Sequence, residues 1–88
     1  MSSQIDATSA ERVEELVRYI VGGLVDNSEE TSIEVSFEGD TLRVLIEANP
    51  DDVGKIIGRG GRTIKSIRTL ARASVGSPSM HVDIDVEG

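Results

Sequence analysis

Four consecutive residues, Gly58-Arg59-Gly60-Gly61, interrupt two apolar-patterned stretches inside the most basic part of the chain. Glycine reaches backbone conformations that other residues avoid, and it removes the Cβ that would hold a ligand's backbone away. With Arg59 and Arg62 beside it, such a turn suits one chemistry above others, the binding of phosphate by main-chain N–H groups and guanidinium forks. Lys55, Arg59, Arg62, Lys65, Arg68 and Arg72 share the segment 55–72 with no acid, whereas the rest of the 88 residues hold three bases and 16 acids. The net charge of −7 therefore hides a strongly basic segment on an acidic body. That segment is suited to displacing counterions from a nucleic-acid backbone.

Other chemistries fail on residue type or spacing. Gly54 to Gly61 does not give the Gly-x-x-x-x-Gly-Lys-Ser/Thr of a nucleotide-hydrolysing loop, and Gly58-Arg59-Gly60-Gly61-Arg62-Thr63 lacks the final glycine of a dinucleotide loop. With no cysteine and a single histidine, His81, there are no thiolate, iron–sulfur or multi-histidine metal sites, no disulfides and no cysteine nucleophile. No serine–histidine–carboxylate set has a plausible place around His81. The pairs Glu14-Glu15, Glu29-Glu30 and Asp51-Asp52 read as helix caps or solvated faces, because a carboxylate pair at a metal needs a third ligand that the sequence does not supply. A protein without catalysis, cofactor or metal is expected. No apolar run approaches the roughly 18 residues of a membrane helix, and the N-terminus lacks a basic region followed by an apolar one, so a soluble cytoplasmic protein with no membrane partner is expected.

The elements that must hold the glycine turn are legible from periodicity. Val13, Leu16, Val17, Ile20, Val21 and Leu24 recur at three and four residues, which predicts a helix over 9–25, with Thr8 and Glu11 as a capping box and residues 1–8 as a flexible tail. Ile33, Val35 and Phe37, then Leu42, Val44 and Ile46, alternate with polar residues around Gly39-Asp40, which predicts an antiparallel hairpin. Asn49 and Pro50 open a short helix that the glycine turn ends. A second helix follows, with Ile64, Ile67, Leu70 and Ala71 inward and the bases mostly outward, until Gly76-Ser77-Pro78 stops it. Met80, Val82, Ile84 and Val86 alternate as a third strand. The fold class is α+β, order α-β-β-α-α-β, a three-stranded sheet with helices packed on one face and a parallel pairing allowed by the long second connection.

The turn and its flanks resemble the K-homology (KH) signature. Ile56 and Ile57 match its apolar pair, Gly58 and Gly61 its Gly-x-x-Gly loop, Arg59 and Gly60 the variable pair, and Ile64 and Ile67 the buried side of the following helix. The element order is similar to the type II KH arrangement, and with the lead-in Gly54-Lys55-Ile56-Ile57-Gly58 the chain resembles the small stand-alone bacterial KH proteins of the KhpA family over about residues 12–86. The resemblance implies a single KH domain over 9–88 and single-stranded RNA as ligand, with the loop clamping the RNA backbone over an apolar groove. It implies RNA-binding residues Lys55, Ile56, Ile57, Gly58, Arg59, Gly60, Gly61, Arg62, Ile64, Lys65 and Arg68, with Val44 or Leu45 on the neighbouring strand as further groove members. It also implies an RNA chaperone or post-transcriptional regulator that acts as a homodimer or with a KhpB (Jag/EloR)-type protein.

Each of these readings has a plainer neighbour. Lys65, Arg68 and Arg72 are spaced as the solvated face of a helix as well as a phosphate-binding one. Thr63, Ile64 and Ile67 suit RNA, core or dimer contacts. With only Tyr19 and Phe37 as aromatics, base stacking is limited and weak, sequence-tolerant binding is expected. A protein-interaction adaptor in cell elongation or division control, its helices forming an assembly surface, is the alternative to an RNA binder. His81 falls on the polar side of its strand, where an exposed histidine is expected.

Overall fold

Strand β2 (Thr41–Glu47) is the centre of the molecule, and its alternation decides which way everything else faces. Leu42, Val44 and Ile46 are buried, while Arg43 and Glu47 are exposed on the opposite side. The computed structural model describes residues 2–76 and 79–88, with only the backbone of residues 2–8. Strand β1 (Ser32–Glu38) pairs antiparallel to β2, with Val35 opposite Val44, through the turn at Gly39, whose φ is +61°. Strand β3 (His81–Glu87) pairs parallel to β2, setting Val82, Ile84 and Val86 opposite Leu42, Val44 and Ile46. The sheet order is β1-β2-β3, so three apolar rows line one face.

Helix α1 (Ser2–Gly22) lays Val13, Val17 and Val21 on that face, one line at four-residue spacing. It begins before the expected start, so Thr8 and Glu11 fall inside it. It ends at Gly22, short of the expected 25, because Gly22-Gly23 gives little helical propensity; Gly23 N–H still reaches Ile20 O at 3.1 Å, and Gly23 and Leu24 follow as a turn. Helix α2 (Pro50–Ile57) starts as predicted, with Asn49 Oδ1 accepting from Asp51 N–H at 2.8 Å and Pro50 in the first turn.

Helix α3 (Arg62–Val75) buries Ile67, Ala71 and Val75 and ends at Gly76 in a left-handed conformation; Ser77 and Pro78 of the expected stop signal lie outside the described residues. Leu70, expected inward, is half exposed at 50%. One helical step, about 100°, carries it off the line of Ala71. Each fully buried aliphatic side chain of this core contributes about 1.5–3 kcal/mol. Helix α1 packs on β1 and α3, and α2 and α3 pack on β3. Among the described residues no element covers the opposite sheet face. It carries Glu34, Glu38, Glu47, Asp83, Asp85 and Glu87 in exposed positions, with Arg43 held by Glu38.

Candidate nucleic-acid interface

Between α2 and α3 the backbone turns through three left-handed glycines. Gly58 (φ +78°), Gly60 (φ +66°) and Gly61 (φ +76°) leave Arg59 as the one side chain of the four-residue loop. Gly58 N–H closes α2 on Gly54 O at 2.8 Å, and Gly61 N–H donates to Gly58 O at 3.1 Å in a single 3-10 turn. The three glycines are not equivalent. A Cβ at Gly58 would stand 2.7 Å from Thr63 Cβ and 2.8 Å from Thr63 N, so the close passage of α3's first turn excludes any side chain there. At Gly60 and Gly61 a Cβ would meet nothing, and only the positive φ selects glycine. Helix α3 then opens on Arg62, whose N–H donates to Arg59 O, and no side chain caps the positive end of its dipole.

Arg59, Arg62 and Lys65 are exposed around this point and Arg72 is exposed in the last turn of α3, and among the described residues none of the four is in an ion pair. Counting about 100° per residue, Lys65, Arg68 and Arg72 share one side of α3, beside its buried line. The arrangement offers a turn without side-chain bulk, the positive end of a helix dipole and three exposed cations beside them, with a fourth at the far end of α3. Chemically it suits a ligand with a polyphosphate backbone.

The family model of the KhpA/KhpB KH domain matches residues 14–86. The chain belongs to this family. The RNA-binding protein KhpA of Mycobacterium tuberculosis (strain H37Rv) is 38% identical over 72 residues, covering 82% of this chain and 89% of the relative. The protein of the same name from Streptomyces coelicolor is 39% identical over 77 residues (85% and 95%), and that of Halalkalibacterium halodurans 32% over 71 residues (81% and 93%). No solved structure matches. The relatives are named for binding, not for a reaction, in line with the expected absence of catalysis.

Within this KH frame the residues singled out from sequence divide. Gly58, Arg59, Gly60, Gly61, Arg62 and Lys65 meet at the loop and the start of α3. Ile57 and Ile64 are half-buried and keep a surface on the α2–α3 side, whereas Ile56 and Ile67 are fully buried core residues and cannot form a groove floor. Val44 and Leu45 are also displaced: Val44 lies under the helices in the central strand and Leu45 faces the uncovered side, so the strand beside α2 and α3 is β3. Lys55 is withdrawn from the cationic set. Its Nζ is paired with Asp26 and, at 3.2 Å, with Asp52, which together raise its pKa, Asp26 most strongly. His81 is exposed, as its place on the polar side of the strand predicts.

Asp52 is the residue that sequence reading left as a mere cap. Its carboxylate is fully buried and accepts from Asp26 N–H (3.1 Å), Asn27 N–H (3.0 Å), Asn27 Nδ2 (3.1 Å) and Lys55 Nζ (3.2 Å). Burial alone would push its pKa up; the N–H groups of Asp26 and Asn27, the Asn27 amide and the Lys55 ammonium outweigh it and hold it at about 2. This node ties α2 to the segment after α1 and so fixes the helix that leads into the loop. The only signal in the sequence was Asp52 and Lys55 at i, i+3 on one helix face.

Proposed function

We propose that this chain binds single-stranded RNA without catalysis, its Gly58–Gly61 loop and the opening N–H groups of α3 holding phosphates while Arg59, Arg62, Lys65 and Arg72 supply the counter-charge. One observation carries the reading: three cations without an ion pair among the described residues, Arg59, Arg62 and Lys65, stand at a positive-φ glycine turn and an uncapped helix start, with Arg72 farther along the same helix. The names of the relatives support the ligand class. The bases lie toward Ile57, Ile64 and the outer side of β3. In this role the protein acts in the cytoplasm as an RNA chaperone or post-transcriptional regulator, and pairing with a second copy or a KhpB-type partner doubles the clamp and raises avidity. The half-exposed Leu70 on α3 favours such an assembly surface.

Fluorescence anisotropy of labelled short RNAs tests the site. The native protein binds, and a variant carrying Arg59→Asp and Gly60→Asp does not, while circular dichroism reports the same fold for both. Binding retained in the variant would move RNA elsewhere on the molecule. No binding by the native protein would refute RNA binding by this chain alone.

A further inference from the structure

β3 adds a second kind of chemistry beside the loop. His81 N–H donates to Asp40 O at 3.0 Å, and Glu87 O accepts from Ala48 N–H at 2.9 Å, so the odd-numbered residues of β3 turn their main-chain groups toward β2. The N–H and C=O groups of Val82, Ile84 and Val86 therefore point to the free edge of the sheet. Ile84 is the middle one, and its carbonyl is not bare. Arg68 reaches across from α3, and its Nη2 donates to Ile84 O at 3.2 Å.

Arg68 is unlike the other free cations of its helix. Arg62, Lys65 and Arg72 are exposed, whereas Arg68 is half-buried and held at a fixed point between α3 and the edge of β3. It lies six residues along α3 from Arg62, about 9 Å at 1.5 Å per residue, a short step from the phosphate-holding turn. A guanidinium carries five N–H donors and no acceptor, so one donor spent on Ile84 leaves a planar fork of donors anchored at the groove wall. A flexible, solvated cation adds charge without preference, but a held fork distinguishes hydrogen-bonding patterns.

We infer that Arg68 is a specificity-determining residue, selecting at one nucleotide a base edge with two adjacent acceptors, as in guanine N7/O6 or cytosine N3/O2. Adenine sets an amino donor beside its acceptors, and uracil places N3–H between its two carbonyls, so both leave one arm of the fork facing a donor or nothing. The inference rests on the proposed RNA site, because it assumes a backbone already held at the loop.

The test compares oligoadenylate and oligouridylate with oligoadenylates carrying one guanine or one cytosine at successive positions, by anisotropy. The native protein favours the best-placed guanine or cytosine by about tenfold. Arg68→Met keeps the apolar stem and removes the fork; Arg68→Lys keeps the charge and one donor to Ile84. Both reduce the preference to within about twofold; Arg68→Met also weakens binding to every oligonucleotide through the charge it removes, whereas Arg68→Lys keeps the charge and so isolates the fork. Should Arg68→Met melt at a lower temperature, Arg68→Lys decides alone. A preference that survives in Arg68→Lys, or binding by the native protein with no preference at any position, overturns the inference and leaves the RNA site standing. Absence of binding to every oligonucleotide overturns both.

Discussion

The two sides of the sheet differ in charge as sharply as two proteins would. On the helical side the stretch from the glycine turn through α3 holds no acid: Arg59, Arg62 and Lys65 stand exposed at the turn and Arg72 at the far end of α3, while the acids of that side lie on α1, on α2 and between α1 and β1, Asp26 and Asp52 among them paired with Lys55. On the uncovered side six carboxylates stand exposed, and the one arginine among them, Arg43, is held by Glu38, which raises its pKa with help from Asp83 and Asp85. A net charge of −7 is thus compatible with a phosphate site, because screening over about 8–10 Å lets opposite faces of a small domain act separately. An acidic face repels a phosphate backbone, so the proposed site and the uncovered sheet face would act in opposite senses on one.

The strongest way to break this comparison is to remove the sheet that separates the faces. Leu42→Ala, at a fully buried position, is expected to cost about 2–5 kcal/mol in urea unfolding, and both faces go with it. Gly58→Ala comes next: the clash with Thr63 adds to the strain of a φ of +78° and ψ of 169° that is open essentially to glycine alone, and the loop distorts, so RNA binding is lost. Gly60→Ala pays the left-handed penalty alone, in open space, and keeps most of the binding. Equal loss in the two variants would show that conformation, not the packing of Gly58 on Thr63, sets the loop.

A pH titration probes the node that supports the basic side. The Asp52 pKa is about 2 in the folded chain against about 3.9 unfolded, so the unfolded state takes up the proton first. The stability it contributes is fully present above about pH 4 and is lost as pH falls toward 2. Asp52→Asn is expected to flatten that part of the pH–stability curve; an unchanged curve would deny the node its role. Smaller still are the charge effects. Arg59→Ala with Arg62→Ala lowers the salt slope of RNA binding by about 0.7 for each phosphate contact removed. Asp83→Asn with Asp85→Asn speeds RNA association by about twofold at low salt and not at high salt, measured by stopped-flow fluorescence.

The elements were legible because their signals are local. Period-two alternation marks all three strands, Asn49-Pro50 marks the start of α2, and the Gly-x-x-Gly turn with its cations marks the candidate site. What failed depends on where elements lie relative to one another. Periodicity places Val44 on an apolar face but does not say that β3, not β2, borders α2 and α3. Lys55 looked like a phosphate ligand because its partner Asp26 is 29 residues away. Arg68 read as one more surface base because its acceptor is a main-chain carbonyl on a strand 16 residues on. Leu70 joined the inward set because a spacing of three is apolar-helix spacing, although the buried line runs by fours from Ile67.

The parallel pairing of β3 also sets an order of assembly. The β1–β2 hairpin joins Glu38 to Thr41 across one turn, whereas β2 and β3 join residues forty apart at every position, as Val44 to Ile84. Closing the longer loop costs more chain entropy before any contact repays it, so the hairpin forms early and β3 docks late. The wall carrying Ile84 is therefore the last part of the groove to be built. Mutations in β3 are expected to act on the unfolding rate, and those in the hairpin on the folding rate. A nascent or partly opened chain then holds its glycine turn before it holds the strand edge against which Arg68 is fixed.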